Sequence, residues 1–132
     1  MDLRSFLDLL CQRAGWPRTD LPDGSTAITV VLVDGRKQDV FVSRSEEEGL
    51  PLARILTHVG PLSRLSGEKT IQALRMNAEL RFGGFAIVDD HLVMTDSVLI
   101  AAAEVEELEQ SLRYLARQAD LAEKFLFGTD ER

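Results

Sequence analysis

The stretch that most restricts how this chain can fold is its last long helical segment, Ala101 to Phe127. Val105, Leu108, Leu112, Leu115, Ala119, Ala122 and Leu126 follow one another at spacings of three and four. At about 100° per residue such a series falls on one side of an α-helix. That side has to be buried. Tyr114, Leu121 and Phe125 lie on roughly the opposite side, so the C-terminal half is apolar on two faces and is expected to touch two bodies.

The rest of the chain supplies what this helix packs against. A first helix spans Asp2 to Ala14, with Leu3, Phe6, Leu7, Leu10 and Ala14 on one stripe, and Gly15 and Pro17 end it. Cys11 borders that stripe and reads as a packed thiol, since no base or cation stands near it in sequence. After the loop Pro22 to Ser25, the β-branched run Thr26 to Val33 and the run Arg36 to Ser43 flank Asp34-Gly35 as a hairpin. With a two-residue turn, Ile28, Val30, Leu32 and Phe41 share one face, and Val31, Val33, Val40 and Val42 share the other. Those outer valines are either a partner surface or ordinary exposed strand formers.

Ser45-Glu46-Glu47-Glu48-Gly49 reads as a solvated loop, and Leu52 to Val59 as a third strand with Ala53, Ile55, Thr57 and Val59 on one side, or else as a short helical turn. A second helix, Glu68 to Leu80, carries two nearly opposed stripes: Ile71, Leu74 and Ala78 on one, Ala73, Met76 and Leu80 on the other. Gly83-Gly84 breaks it. Phe85 to Val88 and His91 to Thr95 then form strands four and five around Asp89-Asp90. The order α-β-β-β-α-β-β-α predicts an α+β fold, an antiparallel sheet of about five strands with helices packed against it, in one domain over residues 1–132.

A formal charge of −7 argues against nucleic acid, because phosphate binding needs a basic face. One cysteine allows no internal disulfide, and Met1-Asp2-Leu3-Arg4 is no secretory start. No stretch reaches membrane-spanning length, so a cytoplasmic protein is expected. Chemistry is thinly represented. Asp89, Asp90, His91 and Asp96 match no zinc or calcium spacing and suit a turn equally well. His58 stands alone in its strand, and Gly83-Gly84 lacks the following helix of a phosphate cradle. No catalytic, cofactor or metal residue can be nominated, and a non-enzyme is expected. A metal-dependent hydrolase using Asp89, Asp90 and Asp96 is the remotest reading.

Three segments carry a resemblance. Asp34-Gly35-Arg36-Lys37-Gln38-Asp39-Val40-Phe41-Val42 resembles a strand of the YbjN family. Leu74-Arg75-Met76-Asn77-Ala78 leading to Gly84-Phe85-Ala86-Ile87 resembles its second helix and fourth strand, and Leu115 to Glu123 is similar to the close of its last helix. The family is similar in fold to class I type III secretion chaperones. The resemblance implies a small bacterial cytoplasmic protein, usually dimeric, that binds another protein; family members are often labelled sensory transduction regulators. It also implies a dimer interface on the second helix, where Ala73, Met76 and Leu80 form the spare stripe. The alternative is that a monomer encloses both stripes.

The leading expectation is therefore a dimeric protein-binding module, chaperone-like or adaptor-like. Val31, Val33, Val40 and Val42 are its candidate partner contacts, and Ala73, Met76, Leu80, Tyr114, Leu121 and Phe125 its candidate self-association surface. A ligand-sensing regulatory domain is the alternative from another class.

Overall fold

The computed structural model describes residues 2–128. Its elements run α1 (Leu3–Ala14), β1 (Arg18–Asp20), β2 (Thr26–Val31), β3 (Lys37–Glu47), β4 (Leu50–Pro61), α2 (Gly67–Met76), β5 (Gly84–Val88), β6 (His91–Leu99) and α3 (Val105–Phe127), with 3-10 turns at Leu62–Arg64 and Asn77–Glu79. The six strands form one sheet in the order β1-β2-β3-β4-β6-β5, antiparallel throughout. α3 lies across β3, β4 and β6 with α1 against its flank.

The apolar repeat of α3 acts as expected. Leu108, Leu112, Leu115, Ala119, Ala122 and Leu126 are buried and join α1 and the sheet in one core. The helix begins at Val105 rather than Ala101 because Glu104 and Glu107 close a capping box there, Glu107 accepting the Glu104 N–H at 3.0 Å. α1 is capped by the Asp2 carboxylate, which accepts from the Ser5 N–H at 2.9 Å.

The sixth strand is β1, in a stretch that reads as a loop. Three residues are too short for a periodic signal. It is held instead by side chains: Arg18 donates to Asp8 at 2.7 Å and to Asp20 at 3.0 Å, and Thr26 donates to Asp20 at 3.0 Å. The acidic run Ser45 to Gly49 is also not a loop. Glu47 pairs with Leu50, and Glu48 and Gly49 turn with φ of 53° and 80°, the two left-handed residues that a type I′ turn demands. β4 is a strand, as preferred, with Ala53, Ile55, Thr57 and Val59 all buried.

The β2–β3 hairpin corrects the sequence reading in a consequential way. Asp34 has no positive φ, whereas Gly35 sits at 86°, and Leu32 closes the loop by donating to the Arg36 carbonyl at 2.8 Å. The loop therefore has three residues, Val33, Asp34 and Gly35. One added residue shifts the register by one and turns every β3 side chain over. Ile28 pairs with Val40 and Thr26 with Val42, so Val40 and Val42 point into the core, with Ile28 and Val30, while Phe41 points out. Val33 is fully exposed at the apex and Val31 is half-buried.

α2 likewise presents the stripe that was not expected. Ala73 is buried and Met76 and Leu80 pack against the core, whereas Ile71 and Leu74 are 52% and 61% exposed. Both stripes are similarly apolar, so periodicity cannot rank them. Position decides, because the helix lies beside α3, with Met76 and Leu80 next to Tyr114 and Gln118.

One long-range ion pair fastens the hairpin to α3. Asp120, buried to 5% exposure, accepts from the Arg36 guanidinium at 3.0 Å on both oxygens, and Lys124 stands 3.7 Å away. Both residues belong to segments that carried the family resemblance, and the fold brings those segments together.

Candidate functional site

Strand parity builds a second face that the core does not use. The register aligns Ala27, Phe41, Leu56 and Thr95 across β2, β3, β4 and β6, all on the side away from α3. The next row holds His58, Val93 and Ala86, and Val93 is fully buried although it points outward. Side chains above it provide the cover: the Phe41 and His58 rings meet edge to face at 5.7 Å, and those of His58 and His91 at 5.1 Å.

Beside this cluster lies an open groove of about 710 Å³, with Phe41 and Leu56 on its floor, Arg54 at one end, Asp23 on its wall and His58 with Val88 at the other end. Burial, with the neighbouring His91 charge second, holds His58 below the usual imidazole range. The groove offers an apolar floor and one outward arginine, and backbone edges stand at β1 and β5. β5 is partly closed, since Asn77 Oδ1 accepts from the Phe85 N–H at 2.6 Å, but Ile87 and Val88 are exposed.

A second apolar surface lies on the helices. Ile71 and Leu74 on α2 are accompanied by Leu121 and Phe125 on α3, 50% and 55% exposed, and the Lys69 ammonium sits 4.5 Å above the Phe125 ring.

The expected site residues thus divide. Val40, Val42 and Ala73 are in the core, where no partner reaches them. Val31, Met76 and Leu80 are half-buried against it. Tyr114 is half-buried too, its ring edge-on to Phe82 at 5.3 Å and its hydroxyl accepting from the Arg81 N–H at 2.9 Å. Val33, Leu121 and Phe125 remain exposed. Missed altogether were Phe41, Leu56, His58 and His91 as one cluster, and Ile71 with Leu74. Correct parity on β3 would have found Phe41, but nothing in sequence joins His58 to His91.

Among the described residues no three His, Cys, Asp or Glu gather as a metal cluster. Asp89 and Asp90 lie at the turn before His91, and Asp96 is five residues along β6, about 17 Å away at strand rise. The Cys11 thiol is buried, and burial pushes its pKa up, the direction of an unreactive thiol. Among the described residues no helix is long and apolar enough to cross a membrane.

The sequence model of the YbjN family, described as "Putative bacterial sensory transduction regulator", matches residues 7–127. No curated protein matches the chain. Among solved structures, a chain in the crystal structure of the ExsC–ExsE complex is similar at 20% identity, covering 98% of this chain and 99% of that one with a TM-score of 0.66. The crystal structure of YbjN from E. coli is similar at 10% identity, covering 95% of this chain and 89% of that one, with a TM-score of 0.50. These likenesses establish the α+β, secretion-chaperone-like fold, here with six strands.

Proposed function

The chain belongs to the YbjN family, and from that membership and its outward sheet groove we propose that it is a non-enzymatic, chaperone-like or adaptor module binding a segment of partner polypeptide. The single observation that carries this reading is the outward row Phe41 and Leu56, apolar side chains flooring an open groove rather than an enclosed chamber. A small molecule is better held in a cavity that surrounds it, whereas an extended segment needs length, apolar footing and a strand edge. Arg54, on the outward face of β4, gives the groove one cationic group, which suits a partner segment carrying a carboxylate. That the similar fold in the ExsC–ExsE structure was solved within a two-protein complex supports the same reading.

The test replaces Phe41 and Leu56 by Asp and installs a photo-crosslinkable side chain at His58. The protein with the crosslinker alone should trap one polypeptide, which the additional double substitution abolishes while the thermal melt is unchanged. Equal trapping by both would overturn the reading.

Self-association belongs to the helix side. Ile71 and Leu74, with Leu121 and Phe125, replace Ala73, Met76 and Leu80 as the surface a second copy would cover, each side chain contributing about 1.5–3 kcal/mol when fully buried, before association costs. Sedimentation should give twice the chain mass for the wild type and the single chain mass for Ile71→Asp with Leu74→Asp. A wild-type monomer, or a variant that stays paired, would remove the dimer.

A further inference from the structure

The chain contains two histidines in all, 33 positions apart in sequence, and the fold places them in ring contact. His58 pairs with Val93 on β6, and His91 lies two residues before Val93 on that strand, so the imidazoles are diagonal neighbours on adjacent strands, both outward and exposed. The extra residue of the β-bulge between His58 and Gly60 adjusts β4 where the rings meet.

Their ring centres are 5.1 Å apart at an interplanar angle of 65°. Edge-to-face ring packing spans the same range, and the separation also accommodates a shared cation. With metal–nitrogen bonds of about 2.0–2.1 Å, a cation held by two imidazoles at a tetrahedral angle sets the ring centres roughly 5 Å apart. The rings stand on a well-ordered base, since Phe41 buttresses His58 from the far side at 5.7 Å and Val93 beneath is fully buried. Late first-row divalent ions bind neutral imidazole well, whereas hard cations prefer oxygen.

We infer that His58 and His91 form a two-imidazole site for a late first-row divalent transition ion, Ni²⁺, Cu²⁺ or Zn²⁺, on the outer face of the sheet. Both donors come from this chain, and water completes the coordination. The site shares Phe41 and His58 with the groove, but its test needs no second polypeptide, so its failure and that of the partner reading are read separately.

The experiment is calorimetric titration of the tag-free chain with NiCl₂, with CuCl₂ and MgCl₂ as comparisons. One saturable site per chain is expected, tighter for Cu²⁺ than for Ni²⁺ in the usual order of affinities and absent for Mg²⁺. Groups that only orient a metal ligand are commonly worth about 10–100-fold in affinity, so His58→Ala and His91→Ala should each weaken Ni²⁺ by at least about tenfold. His91→Gln, a polar replacement at an exposed position, guards against a variant that fails to fold. No saturable Ni²⁺ binding by millimolar concentration, or equal affinity in wild type and His91→Gln, would overturn the site and leave the ring contact as packing over Val93.

Discussion

Val42→Asp is expected to leave the protein unfolded, while Val33→Asp, nine residues earlier on the same hairpin, should leave its urea midpoint unchanged. Val42 is sealed against the inner face opposite Thr26, and Val33 is fully exposed at the apex of the loop. An unpaired carboxylate in that core faces a desolvation cost of several kcal/mol beyond the lost valine packing. A domain of this size has a total of about 5–15 kcal/mol to lose. The pair is a direct test of the three-residue loop. In a two-residue hairpin the two valines would share a face, and the two variants would behave alike. Far-ultraviolet circular dichroism with urea titration reads the outcome, and a Val42→Asp protein that unfolds at the wild-type urea concentration would refute the register.

Gly83→Ala should be the most damaging removal of a glycine. Gly83 has φ of 68°, and a methyl group there would lie 2.4 Å from the Thr95 carbonyl and 2.9 Å from Leu115 Cδ1. The first of these is backbone in β6, so it cannot swing aside, and the second belongs to the buried stripe of α3. Left-handed backbone costs an L-residue about 1–2 kcal/mol, and overpacking a filled site adds about 1–3 kcal/mol. Gly24, at φ 92° with open space around it, isolates the backbone part. Gly24→Ala should lower the melting temperature by clearly less than Gly83→Ala; equal losses would show that β5 and α3 yield to the methyl group. Gly83 thus does more than stop a helix, since it lets the start of β5 pass beneath Leu115.

How much of this was legible follows from where the deciding information lay. The α3 stripe, the α1 stripe and the alternation of β4 are local, and local periods are what a single sequence displays. The hairpin after α2 was legible for the same reason, though not that its second strand, β6, is the one beside β4. The facing of β3 was not, because Asp34-Gly35 suits both a two-residue and a three-residue hairpin, and the sign of one φ angle separates them. The buried side of α2 depended on its placement beside α3, which no local pattern in Ile71 to Leu80 encodes. The candidate residues inherited both errors: Val40, Val42 and Ala73 were nominated as contact surface and lie in the core. His58 and His91 meet only through the β4–β6 pairing, and Arg36 and Asp120 only through α3 crossing the hairpin end.

Synthesis proceeds from the amino end, so all six strands leave the ribosome before the first turn of α3. Until that helix arrives, Ile28, Val40, Val42, Ile55 and Met94 have only α1 and α2 to shelter them, and Asp120 has not yet reached Arg36. The newborn sheet is for that interval an oily plate open to solvent, and a shortened chain halting before Val105 would stay so, a natural client for the holding machinery of the cell.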